Sequence, residues 1–270
     1  MINRTTFFAY ARRSPFGNRL SQKQVDGMNF ILSAWEKSGL TDLRWLAYML
    51  ATVFHECAGT MQPIRERGGA SYFRKYEGRR DLGNTQPGDG VKFHGRGYVQ
   101  LTGRDNYRKA SMVTGVDLLN NPDRAMEPAL AAKIMIHGMT NGWFTSRRLS
   151  GYFNATTDDP KNARRIINGT DKASLIATYH VAFMGALNAA DTDTPQPKDV
   201  TPEAAQPDDV PPTQSKSFWS ILLGLVTGGG FAFPNIENLY GLIAFLAILA
   251  VGGVFAWLVL SGRFTINRGE

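Results

Sequence analysis

The stretch Leu50–Tyr107 reads LATVFHECAGTMQPIRERGGASYFRKYEGRRDLGNTQPGDGVKFHGRGYVQLTGRDNY, and the fold follows from how it begins and ends. It opens on the last turns of an apolar helix, which delivers His55 and Glu56 at its end. Glycines, arginines and aromatics then crowd a segment with no sustained period, a loop composition. It closes on Gly95–Thr102, where polar groups alternate with apolar ones. A rigid helix end followed by a polar, glycine-rich loop describes a cleft.

Working outward towards the N-terminus, Leu43, Leu46, Ala47, Leu50 and Phe54 form one apolar face while Trp45, Met49 and Val53 add another, so this helix is central. Thr41 is placed to cap it. Before it, Val25, Met28, Ile31, Leu32 and Trp35 predict a helix over 22–35 that Gly39 stops. Residues 1–20 are weakly patterned, with a turn at Pro15 and Gly17. Towards the C-terminus, Pro87-Gly88-Asp89-Gly90 is a turn, and 93–102 reads as a short strand weakened by Gly95 and Gly97. Helices follow over 105–113, from Pro128 through Met139, in a short piece that Asp159 caps and Pro160 opens, and over 175–187. The fold class is mainly α.

Residues 1–189 read as one domain, and 190–217 as a proline-rich acidic linker without a folded element. Residues 218–262 form a membrane region: 239–260 carries no charge and is long enough for a bilayer, with Trp257 as an interfacial anchor. The uncharged run 218–233, interrupted by Ser220, Thr227 and three glycines, is either a first span or an interfacial helix. A single span places Arg263 and Arg268 in the cytoplasm and the linker outside, whereas a hairpin places both Lys216 and Arg263 in the cytoplasm. The first residues lack a continuous apolar run, which argues against a cleavable secretion signal.

The formal net charge of +7 divides unevenly, since the first 189 residues carry +11. Such a surface favours a polyanionic partner. Nucleic acid is set aside because the basic residues show no helix register or aromatic spacing. Cys57 is the only cysteine, so no intramolecular disulfide and no cysteine-based metal site is expected. His55-Glu56 begins like a zinc-protease motif, but Gly59 stands where a second histidine is required, so neither metal nor cofactor is expected.

A carboxylate pair remains. Glycosidic cleavage needs one carboxyl that holds a proton for the leaving oxygen and one that stays charged. Glu56, at an apolar helix end where partial desolvation favours the neutral form, is the acid candidate. Glu66 lies among Arg65, Arg67 and Arg79, cations that favour the charged form; Glu77 is a fallback in the same basic run. Taken without further information, each reads more simply as a solvated loop charge. Gln100 and Thr102 fall on one side of an extended segment, where they hold a sugar hydroxyl or a water, or simply cap a turn.

FHECAG, IRERGG, GRGYVQLTGRDNY and RIINGT, in this order over about residues 25–190, resemble glycoside hydrolase family 19, the plant-type chitinases and bacteriophage peptidoglycan-degrading endolysins. The resemblance implies a lysozyme-like helical domain with a cleft, Glu56 as general acid and Glu66 as base, and an inverting reaction. Gln100 and Thr102 would then position water and sugar, with His55, Asn106 and Asn168 along the saccharide cleft. Gly169-Thr170 departs from the family's glycine pair, and the plant enzymes' disulfides are absent. That absence, with the basic domain, points the expectation towards an endolysin. The partner would be bacterial peptidoglycan, cut on its periplasmic side by an enzyme tethered to the inner membrane, with chitin as the alternative substrate. A noncatalytic wall-binding protein is the reading outside the enzymes.

Overall fold

The first helix, α1 (Arg4–Arg13), is one that the apolar spacing does not announce. Asn3 caps it by accepting the Thr6 amide, and Phe7, Phe8, Ala9 and Ala11 are buried. Two buried phenylalanines contribute about 1.5–3 kcal/mol each, enough to hold a helix whose solvent side is basic. In this computed structural model the described residues are 1–193 and 196–210, with isolated positions at 254, 257, 258, 261, 266 and 267.

Ser21 and Gln24 form a reciprocal capping box that starts α2 (Gln22–Ser38), and left-handed Gly39 ends it. The next helix, α3 (Leu43–Glu56), is capped by Asp42, which accepts the Arg44 amide at 3.0 Å. The expected cap was Thr41; the carboxylate one residue on reaches the free amide instead. Every residue from Leu46 to Val53 is buried, as a central helix requires.

After α3 come β1 (Ile64–Arg65), α4 (Ala70–Phe73), α5 (Asp89–Lys92) and β2 (Arg96–Gly97). The strands are antiparallel, with Ile64 opposite Gly97 and Arg65 opposite Arg96. The remaining helices are α6 (Arg104–Thr114), α7 (Pro128–Asn141, with Pro128 in its first turn) and α8 (Ala173–Ala190). The short piece expected at Pro160 is a 3-10 turn over Asn162–Ile166, begun by Asp159 accepting the Asn162 amide. The main core joins α1, α2, α3, α7 and α8, and a smaller cluster gathers around Phe93, Leu101 and Tyr107.

Two compact units result, Met1–Gln206 and Pro207–Glu270. The first extends beyond the expected boundary at residue 189. The acidic segment after α8 meets the basic end of α1: Asp199 pairs with Arg13 at 2.7 Å, Arg12 donates to the Ala204 carbonyl, and Ala205 is buried. Up to Gln206 the expected linker is therefore docked, because the two segments carry opposite charge. In the second unit, β3 (Asp209–Val210) pairs antiparallel with β4 (Ile266–Asn267).

The expected span over 218–233 and nearly all of 239–260 lie outside the described residues. Among the described residues, one helix, Ala173–Ala190, is long and apolar enough to cross a membrane. Its Ile176, Phe183, Leu187 and Ala190 are buried in the domain core, where it packs against α3 and α1.

Candidate active site

The chain through β2 is shaped by glycines at two places. Gly97 has φ +89°, which lets the chain turn tightly. At Gly95 the constraint is space: a Cβ there would lie 2.8 Å from Gln100 Oε1 and 3.1 Å from Glu66 Oε2. Between them, Arg96 is buried and donates from Nη1 to the Lys92 and His94 carbonyls and to the Tyr107 hydroxyl, while Nε reaches Asp123 at 2.8 Å. The arginine of this motif is structural.

Around that segment the first group of site residues assembles. Glu66 Oε1 accepts from Lys75 Nζ at 3.0 Å and from the Tyr76 hydroxyl at 2.9 Å, and Oε2 accepts the Gly95 amide at 3.0 Å. Burial alone would raise its pKa, but the Gly95 amide, Lys75 and Tyr76 together outweigh it and hold the carboxyl below the usual carboxylate range. Gln100 adopts φ +54° and donates to the Ile64 carbonyl at 3.0 Å. The segment is thus a turn and not the extended run that alternation suggested. Thr102 Oγ1 donates to the Gln100 carbonyl at 2.8 Å, and Asn106 Nδ2 to the Thr102 carbonyl at 3.0 Å. These contacts tie Glu66, Gln100, Thr102 and Asn106 into one wall.

A second group forms at the end of α3. Arg164, on the 3-10 turn before α8, donates from Nη1 to Glu56 Oε1 and from Nε to the Asp171 carbonyl at 3.2 Å. The Arg164 side chain is 5% exposed and that of Glu56 19%. The apolar surroundings expected for Glu56 are replaced by a buried guanidinium. Asn168 is anchored to the same turn through its amide, 3.1 Å from the Arg164 carbonyl, and its side chain folds onto the Gly169 amide. His55 is half-buried, and desolvation lowers its pKa.

The two groups sit on adjoining elements. Cys57 Sγ, next to Glu56, lies 4.0 Å from the Tyr98 carbonyl just beyond β2, so the end of α3 abuts the strand pair whose first strand Glu66 follows. Burial pushes the Cys57 thiol up to about 12, which makes it inert packing. Glu77, the fallback carboxylate, belongs to neither group. It accepts the Gly88 amide at 2.6 Å and the Gly90 amide at 2.9 Å, fastening the 86–90 turn.

Sequence reasoning missed Arg164, Lys75 and Tyr76. Arg164 stands beside Arg165 in a basic pair, and its place four residues before Asn168 is the one local signal. Lys75 and Tyr76 stood inside an arginine-rich run whose other members hid them.

Residues 41–150 match the family model of class I chitinases, glycoside hydrolase family 19. The segment includes both carboxylates and the Gly95–Tyr107 motif, while Arg164 and Asn168 lie beyond it. By that match the chain is a glycoside hydrolase. Among solved structures, it is similar to chitinase C from Streptomyces griseus HUT6037, at 21% identity over 69% of this chain and 76% of that one, TM-score 0.49. It is also similar to a bacterial family 19 chitinase, at 23% identity over 69% of this chain and 94% of that one, TM-score 0.44. The matching family is one of chitinases. That corrects the expectation of a bacteriophage endolysin, and with it the peptidoglycan partner and the role in host lysis.

Proposed function

We propose that the domain hydrolyses a chitin-type polymer of N-acetylglucosamine by general acid/base catalysis with inversion. The observation that carries this reading is the contrast between two carboxyls on adjoining elements. Glu66 is fixed in its charged form by three donors, as a base that activates water must be. Glu56 rests against a single guanidinium. In this reading Glu56 protonates the leaving oxygen, and Glu66 takes the proton of a water entering from the opposite face of the sugar. Inverting enzymes leave about 6.5–9.5 Å between such carboxyls for that water. Gln100 and Thr102 orient the water and the sugar's acetamido side, and His55, Asn106 and Asn168 line the saccharide path. The uncharged run 239–260 supports attachment of the chain to a bilayer.

The test is hydrolysis of chitohexaose and colloidal chitin, with the product anomer followed by proton NMR. First-formed α-anomer is expected. Glu56→Gln should lower kcat by about two to four orders of magnitude while KM changes little. Undiminished turnover in Glu56→Gln, or first-formed β-anomer, would refute the assignment.

A further inference from the structure

A groove of about 680 Å³ lies between α2 and α7, a volume typical of small-molecule sites. It shares no residue with either carboxylate group. Phe30, Ala34 and Lys37 line it from α2, at spacings that place them on one helix face; Leu130, Lys133 and Ile136 line it from α7. Phe30 is 42% exposed.

Charge selects the occupant. Lys37 and Lys133 both line the groove, and none of the described lining residues carries a carboxylate. The acids nearest in sequence are committed elsewhere, Glu36 to Arg4 and Glu127 to Arg124, each at 2.7 Å. Ser33, Ser38, Thr114 and His137 add polar groups to a largely aliphatic lining, and with two ammonium groups this lining matches a ligand with an apolar body and an acidic head. We propose that the groove binds a small amphipathic anion, its carboxylate or sulfonate between Lys37 and Lys133 and its body along Ala34, Leu130 and Ile136 under the Phe30 ring.

Isothermal titration of the full chain with naphthalene-2-sulfonate tests this. One saturable site is expected. Lys37→Glu/Lys133→Glu should weaken it tenfold or more, Phe30→Ala should weaken it less, and the uncharged analogue naphthalene-2-methanol should bind far more weakly than the sulfonate. All these positions are at the surface, so circular dichroism and the melting temperature of each variant should match the parent. Absence of saturable binding, binding unchanged in the double variant, or equal binding of the neutral analogue would overturn the proposal. Displacement of the probe by chitobiose would also overturn it, making the groove a saccharide site.

Discussion

The surroundings of Glu66 and of Glu56 are built in opposite ways. Glu66 draws its partners from the chain that follows it: Lys75 and Tyr76 from the turn after α4, and Gly95, the residue before β2. Glu56 depends on one residue far along the chain, Arg164, held by the turn that leads into α8. Three donors fix a carboxyl more firmly than one, and losing any single donor leaves two. The Glu56 side has no such redundancy, so the two sides should fail differently.

The largest effect in breaking that comparison is expected at Arg164. In Arg164→Met the Glu56 carboxylate is left partly buried without its counter-charge, a loss of about 3 kcal/mol. The double variant Glu56→Gln/Arg164→Met removes the stranded charge and should recover much of that loss. Urea unfolding of the two single variants and the double one measures the coupling. Additive losses would mean that the ion pair does not hold the end of α3.

Gly95→Ala strikes the other side. The added methyl would meet Gln100 Oε1 at 2.8 Å and Glu66 Oε2 at 3.1 Å, so one of the two must move. Overpacking of this kind costs about 1–3 kcal/mol. Because the displaced groups are those assigned to base and water, kcat should fall by at least about tenfold, more than the stability loss would suggest. Steady-state kinetics alongside thermal melting separates the two.

Tyr76→Phe sharpens the comparison by removing one donor of three. The Glu66 pKa should then rise towards the ordinary carboxylate value, and the acidic limb of kcat/KM should move to higher pH. The sign carries over to stability. A carboxyl depressed in the folded state stabilises fully above its unfolded value of about 4.3, and that contribution is lost as pH falls through the folded value. Tyr76→Phe should therefore narrow the stability difference between neutral and acid pH. An acidic limb that stayed in place would show that Glu66 is not the base.

The same contrast governs what the sequence made legible. The helices α2, α3, α7 and α8 announce themselves because each buries a stripe at helical spacing, and the cap on α2 and stop at Gly39 are local. The helix α1 was missed because its buried Phe7 and Phe8 are adjacent, which reads as no period at all. Within the site, Glu66, Gln100, Thr102 and Asn106 come from one loop system, so the motif that names them also gathers them. Gln100 and Thr102 were placed in an extended segment because alternation is also what a tight turn around Gly97 produces. Arg164 could not be read, since pairing it with Glu56 needs the packing of α8 against α3. Docking of residues 196–206 on α1 was hidden for a similar reason: a proline-rich acidic segment reads as linker until its basic partner is placed beside it.

The smallest effect is expected at Glu77, which asks whether a carboxylate in the same basic run takes part. Its two oxygens accept the amides of Gly88 and Gly90, and a Cβ on Gly90 would come within 2.8 Å of one of them, so the turn is shaped to that carboxylate. A partly solvated side chain holding two backbone amides contributes about 1 kcal/mol. Glu77→Ala should lower the melting temperature by about 2–4 °C, while kcat on chitohexaose stays within about twofold of the parent. The turn also holds Asp89, which accepts from Arg104 Nε at 2.8 Å, so loosening reaches the start of α6 before it reaches Glu66. A loss of kcat as deep as that of Glu56→Gln, with the melting temperature unchanged, would transfer the role of base from Glu66 to Glu77.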